Sequence, residues 1–234
     1  MKMNYFNGKH QNSKLIAKHI CENVKNIENM TYVDPFCGSL EVTKYMTLMT
    51  KKTYANDLCP DLILLWNKVK EGKFKNPNLN LEKWNLLRNS KTPSAKRGFA
   101  AFACSVQGHW FSDFISPNKD ENNNMVQYRT VASYHKILAK TDFYCLDYIS
   151  FLQQILNSKT NFVVYMDPPP EFANPTPWKE PRKNFDYDFF WKVCRRLGKM
   201  KNVDIFISAI KAPDDFKIVN NFNNKTLDKL YTIN

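Results

Sequence analysis

The stretch Asn161 to Phe172, NFVVYMDPPPEF, leaves little choice of fold class. Phe162 to Met166 is an unbroken apolar run of strand length with no polar face, the pattern of a parallel strand covered by helices on both sides. Asp167 and three prolines end it, since proline cannot donate a ladder hydrogen bond. The carboxylate is therefore carried to the carboxyl end of a central strand, the edge at which open α/β sheets bind their ligands.

At 234 residues with 43% hydrophobic content, the chain can form one α/β domain carrying a smaller inserted module. No apolar run approaches the roughly 20 residues of a membrane span, and the opening MKMNYFNGKH lacks the apolar segment of a signal peptide, so an intracellular protein with no membrane partner is expected. Cys21, Cys37, Cys59, Cys104, Cys145 and Cys194 are scattered without a close pair; they suggest neither a zinc site nor a disulfide framework and read as free thiols. The balance of 34 basic against 22 acidic residues, a formal charge of +12, favours a polyanionic partner, nucleic acid first, because neutralising phosphates releases counterions. A solvated lysine-rich surface would give the same balance.

Taken in order, Asn7, Gly8 and Lys9 form a loop before a helix with Leu15, Ile16, Ile20, Val24 and Ile27 on one broad face. That glycine would let backbone approach a ligand, although Asn-Gly is also an ordinary turn and Lys9 an ordinary surface charge. TYVDPFCGSLEVTKYM then gives a short strand (Tyr32, Val33), a turn with Pro35, Gly38 and Ser39, and a helix through Leu40, Val42 and Tyr45. Strand, glycine turn and helix is the layout that presents backbone N–H groups to a nucleotide-like ligand. A second strand ends at Asn56 and Asp57. Asp57 stands 19 residues after Gly38 (57 − 38), near the spacing of about 20 at which an acidic residue takes ribose hydroxyls in dinucleotide folds. It is equally placed to cap the helix that begins with Pro60 and stops before Gly72.

From Asn76 to Lys140 periodicity weakens. Aromatic residues (Trp84, Phe99, Phe102, Trp110, Phe111, Phe114, Tyr128, Tyr134) mix with basic ones (Lys83, Arg88, Lys91, Lys96, Arg97, Arg129, Lys136), which reads as an inserted module at 76–140 between the two parts, 1–75 and 141–234, of the main domain. The rings suit either a core or base stacking, and the basic residues suit phosphate contacts. Gln107, Gly108, His109 and Trp110 occupy a polar turn and are the candidates to reach nucleic acid; His109 also fits an ordinary surface site. Further on, a strand ends at Leu146 with Asp147 at its tip, placed either to accept the amino group of a bound adenine or to cap the following helix. Beyond the prolines, a loop with Trp178, Lys179, Arg182 and Lys183 leads to a helix whose Phe189, Phe190, Val193 and Leu197 form a core stripe ended by Gly198. Val203 to Ala209 is a further strand, and the region from Asp214 and Asp215 to Tyr231 is expected to add a helix and an edge strand.

The ordered segments YFNGK, DPFCGS, Asn56-Asp57, ACSVQGHWF, LDY at Asp147, DPPP, and FDYDFFW with SAIKAPDDF resemble the Dam-type (alpha-group) DNA adenine-N6 methyltransferases, including their short forms in phages and large DNA viruses. The resemblance spans nearly the whole chain. It implies a Rossmann-like, seven-stranded, S-adenosylmethionine-dependent methyltransferase fold with an inserted, mostly helical target-recognition module, acting on double-stranded DNA without a metal. It further implies that Asn7, Gly8, Lys9, Asp34, Phe36, Gly38, Ser39, Asp57, Asp147 and Tyr148 hold the methyl donor. Asp167, Pro168, Pro169 and Pro170 take the place of the catalytic tetrad, with the Asp167 carboxylate and the Pro168 carbonyl orienting the amine of a flipped adenine. Arg97, Gln107, His109, Trp110, Arg129, Lys179 and Arg182, read from their residue types, are the candidate nucleic-acid contacts. Asn7 replaces the first glycine of the family's opening, Pro170 the tetrad's aromatic, and Ala209 and Ile210 a Glu-Tyr pair. These departures bring in a second expectation, a binding subunit that pairs with an active methyltransferase homologue.

Overall fold

A computed structural model describes residues 12–108, 110–115, 123–157, 159–169, 185–222 and 229–233. A seven-stranded sheet is formed by β1 (Thr31–Asp34), β2 (Lys52–Asn56), β3 (Thr141–Tyr144), β4 (Phe162–Met166), β5 (Val203–Ala209), β6 (Lys217–Asn221) and β7 (Lys229–Thr232). Their order across the sheet is β3-β2-β1-β4-β5-β7-β6. Neighbours from β3 to β5 run parallel, and β7 is antiparallel to both β5 and β6. The direction of winding reverses between β1 and β4, which makes their carboxyl ends the switch point where such sheets open a crevice.

The run at β4 is buried on both faces, as its unbroken apolar character predicts: none of Phe162 to Met166 is more than 1% exposed. Alternate residues go to opposite sides. Val33, Val164 and Met166 pack with Phe151, Leu152, Phe190 and Cys194 of α7 (Tyr148–Ile155) and α8 (Tyr187–Gly198). Tyr32, Val163 and Tyr165 pack with Ile16, Ile20, Val42 and Met46, on the side of α1 (Ser13–Asn23) and α2 (Thr43–Met49). A third cluster joins α3 (Pro60–Lys70) to the stretch after Asn76, where α4 (Leu81–Asn89), α5 (Ala95–Gly98), a π-helical turn Phe99–Ala103 and α6 (Asn123–Ala132) lie.

That third cluster holds Leu62 and Trp66 together with Trp84, Phe99, Phe102, Phe111 and Tyr134, so residues 76–140 share a core with α3. The backbones of α3 and α5 touch: a Cβ at Gly98 would stand 2.5 Å from the Asp61 carbonyl oxygen. Burial inside this cluster is what most of the rings at 76–140 do.

Several local expectations are corrected. Leu15 is 39% exposed, about 100° round the helix from Ile16, and α1 ends at Asn23, before Val24 and Ile27. Leu40 has φ 61°, left-handed backbone that cannot begin a helix, so α2 starts at Thr43. Phe189 is 46% exposed while Phe190 is fully buried, and Cys194 takes a core position on the stripe. After Asp214 and Asp215 the described residues form β6 and β7 with no helix between Asp214 and Asn221.

Candidate active site

At the tip of β1, Asp34 is 3% exposed. Its Oδ2 accepts from Tyr32 OH (3.2 Å) and Thr43 Oγ1 (2.5 Å), and its Oδ1 accepts from the Phe36 N–H (3.1 Å). Burial pushes its carboxyl up, the bonds from Thr43, Phe36 and Tyr32 pull it down, and the nearby charge of Asp167 raises it, leaving it at about 7. Asp34 and Asp167 thus feel each other electrostatically across the tips of neighbouring strands. In the parallel register Val33 sits opposite Val164, so β1 and β4 deliver the two carboxyls to the same edge.

The loop that follows β1 is tightly held. Gly38 has φ 45° and Leu40 φ 61°; glycine takes left-handed backbone freely, but Leu40, with its Cβ, keeps it only where surroundings fix it. Three bonds fix it. Cys37 N–H donates to the Asn56 carbonyl (2.8 Å), Gly38 N–H donates to Asp57 Oδ2 (3.1 Å), and the Trp66 indole N–H donates to the Gly38 carbonyl (2.9 Å). Gly38 and Asp57 are therefore in direct contact. The other carboxylate oxygen of Asp57 accepts from Cys59 N–H at 2.9 Å, while the N-cap of α3 is Cys59 itself.

Asn56, 1% exposed, joins three strand ends. Its Nδ2 donates to the carbonyls of Pro35 (3.0 Å) and Leu146 (2.9 Å), and its Oδ1 accepts from Leu146 N–H (2.9 Å). The tips of β1, β2 and β3 are thereby fixed relative to one another. Asp147, just beyond β3, caps α7: its Oδ1 accepts from the N–H groups of Ile149 (3.1 Å) and Ser150 (3.0 Å). The Ser150 bonds, side-chain first, hold its carboxyl below the usual range. Between Asp57 and α3, Leu58 is 53% exposed, an apolar side chain flanked by the acidic tip.

Phe36 and Tyr148 meet with ring centroids 5.2 Å apart, and Phe185 lies 6.0 Å and 5.6 Å from them respectively. Tyr187, 4.9 Å from Phe185, donates its hydroxyl to the Pro169 carbonyl. Asp167, Pro168 and Pro169 are each half-buried. The rings therefore line the ground between the β1 loop and the Asp167 loop. Ser39 is buried beside Gly38. Asn7, Gly8, Lys9, Pro170, Lys179 and Arg182 lie outside the described residues, as does His109.

The proposed nucleic-acid contacts separate. Arg97 is committed internally: its Nη1 meets Asp61 Oδ2 at 2.6 Å, its Nε donates to the Leu87 carbonyl, and its guanidinium covers the Trp110 ring at 4.7 Å. Asp61, 1% exposed, also accepts from Ser94 N–H at 2.7 Å. Trp110 is partly buried and packs on Phe102 and Phe111. Gln107 lies in a short turn Val106–Gly108, and Arg129 is exposed on α6. The cysteines are all free, and burial pushes the thiols of Cys37, Cys59, Cys104 and Cys194 upward. Sequence reasoning missed Asn56 as a strand tie, Thr43 and Tyr32 as partners of Asp34, Trp66 as the clamp on Gly38, and Leu58. Of these only Asn56 and Leu58, polar and apolar neighbours of an acidic strand tip, carried a signal.

The sheet order, with its switch point between β1 and β4, is that of a methyltransferase-type Rossmann-like fold. Residues 8–133 match the family model of the D12 class N6 adenine-specific DNA methyltransferases. This is 126 of 234 residues (133 − 8 + 1), more than half, and the chain belongs to that family. Among solved structures it is similar to an rRNA methyltransferase, aviRa, from Streptomyces viridochromogenes, at 14% identity and a TM-score of 0.50 over 100% of this chain and 87% of that one. A second structure of aviRa matches at 13% identity and a TM-score of 0.49 over 99% and 87%. A putative methyltransferase, yhhF, from Escherichia coli matches at 10% identity and a TM-score of 0.43 over 99% and 90%. The first of these likenesses concerns the fold alone. No curated protein matches the chain. Among the described residues, no helix is long and apolar enough to cross a membrane.

Proposed function

We propose that this protein transfers a methyl group from S-adenosylmethionine to the N6 amine of an adenine turned out of double-stranded DNA. The observation that carries the reading is the meeting of Asp167 and the Asp34–Leu40 loop at the switch point of the sheet, in a chain of this family. The family match ends at residue 133, so the role of Asp167 rests on geometry and on the sequence DPP. S-adenosylmethionine supplies an electrophilic methyl group when bound. The residues present suit it: Asp57 and Asp147 offer carboxylates to hydroxyls and to an amine, Leu58, Phe36 and Tyr148 offer apolar and aromatic surface, and the Gly38 loop brings backbone close. Asn7, Gly8 and Lys9 complete this set by resemblance.

The chain's own contribution is orientation. The Asp167 carboxylate and the Pro168 carbonyl accept the two N–H groups of the adenine amine, drawing a ring-conjugated nitrogen toward a geometry in which its lone pair is available. Gln107, His109, Trp110, Arg129, Lys179 and Arg182 are the proposed contacts to DNA, Arg97 serving them indirectly by stacking on Trp110. A charge of +12 supports a polyanionic substrate.

A second reading, a DNA- or donor-binding subunit that works with an active homologue, is favoured by Pro170 in the tetrad and by Ile210, an apolar side chain 46% exposed at the end of β5. One experiment separates the two. Pure protein is incubated with labelled donor and AT-rich duplexes; label in DNA supports the enzyme, whereas label only after adding a homologous methyltransferase supports the subunit.

A further inference from the structure

Trp66 and Tyr134 connect the Gly38 loop to the 76–140 stretch. Trp66, fully buried on α3, donates its indole N–H to the Gly38 carbonyl at 2.9 Å. The ring of Tyr134 is stacked on the indole at a centroid distance of 6.0 Å and an interplanar angle of 17°. The Tyr134 hydroxyl accepts from Lys44 Nζ (3.3 Å), a lysine 8% exposed that is also paired with Glu41 at 2.7 Å and lies over the rings of Tyr45 and Tyr134. Glu41 and Lys44 immediately follow the loop in sequence. The end of the 76–140 stretch is thus wedged behind the loop from two directions, through the indole and through the lysine.

The loop needs such support. Left-handed backbone costs Gly38 nothing, but two residues on, at Leu40, it is disfavoured by the Cβ and is retained only where neighbours leave no alternative. We propose that Trp66, braced by Tyr134, is a positioning residue for the methyl-donor site, so that a change at Tyr134 weakens donor binding without touching the donor. This rests on the reading of the Gly38 loop as the donor site. Losing the indole donor strands a buried carbonyl, and restoring the loop on binding then costs affinity by about tenfold, the size of one such bond.

Trp84 provides a control. It is 2% exposed in the same core cluster and donates its indole N–H to the Ala100 carbonyl at 3.1 Å and to Ser105 Oγ at 3.3 Å, neither of them a residue of the loop. Trp66→Phe, Tyr134→Leu and Trp84→Phe are compared with wild type by calorimetric binding of S-adenosylhomocysteine, by thermal unfolding, and by hydrogen exchange at the amides of Cys37, Gly38 and Leu40, all hydrogen-bonded in the native loop. Trp66→Phe and Tyr134→Leu are expected to bind about tenfold more weakly and to exchange faster at these amides. Trp84→Phe is expected to lose stability with affinity and loop exchange unchanged. Binding by Trp66→Phe within twofold of wild type, or equal weakening by Trp84→Phe, overturns the proposal. If wild type itself does not bind, the donor reading fails and takes the affinity claim with it. The exchange rates then judge the brace alone, which is overturned if Trp66→Phe leaves them unchanged.

Discussion

Replacing Asn56 by aspartate tests how the three strand tips are held. The side chain is 1% exposed. Its Nδ2 donates to the carbonyls of Pro35 and Leu146 at 3.0 and 2.9 Å, and its Oδ1 accepts from Leu146 N–H at 2.9 Å. Asn56→Asp keeps the shape and the acceptor but turns the double donor into an oxygen facing two carbonyl oxygens. Two buried acceptors left without donors cost about 1–3 kcal/mol each, so a loss of roughly 2–6 kcal/mol is expected at pH 8. Burial and the facing carbonyls raise the folded-state pKa of the new carboxyl above its unfolded value. Stability is therefore present at low pH, where the acid O–H donates to one carbonyl, and is lost as pH rises through the folded pKa. Urea unfolding followed by circular dichroism at pH 5 and pH 8 measures this, with the wild-type difference subtracted. An Asn56→Asp protein as stable as wild type at pH 8, or one whose deficit is the same at both pH values, refutes the argument.

Asp34 has the same sign for a natural residue. Its pKa, ordinarily 3.8, is raised to about 7 in the fold, so the stability it contributes is complete below pH 3.8 and falls as pH rises through about 7, by roughly 4 kcal/mol at most. Asp34→Asn keeps the acceptor for Phe36 N–H and faces two hydroxyls that can rotate to accept; its unfolding free energy relative to wild type is expected to rise between pH 5 and pH 8. Arg97→Ala leaves Asp61 buried and unpaired and is expected to cost about 3–5 kcal/mol in urea unfolding, so that its first effect is on folding and not on DNA. Arg129→Ala is expected to leave stability unchanged, weaken DNA binding across all sequences, and lower the salt dependence of binding by about one counterion.

Much of this architecture is legible before any coordinates. Phe162 to Met166 reads as a strand buried on both faces, as it is, and the prolines after Asp167 mark where that strand stops. The spacing of Gly38 and Asp57 reads as a ribose-binding pattern or a helix cap, and does not announce the bond the two make, a backbone N–H on a carboxylate oxygen. Leu40 was misplaced in a helix because nothing in its type announces a left-handed backbone. Asn56 and Trp66 were hard to read for a different reason. Their hydrogen bonds reach 21 and 28 residues away, and a tryptophan on an amphipathic helix has the same sequence pattern whether or not its indole N–H clamps a loop. The pairing of Arg97 with Asp61, 36 positions earlier, has no signature in the sequence.

The central claim is that the carboxylate at the tip of β4 orients an adenine amine toward a donor held by the β1 loop. The most direct test identifies the methylated atom in DNA treated with wild type and compares the rate with that of Asp167→Ala, donor binding being measured on both. The account predicts label on adenine N6, and a rate at least about a hundredfold lower in Asp167→Ala with donor affinity retained. Label on another atom, or equal rates in the two proteins, would contradict it.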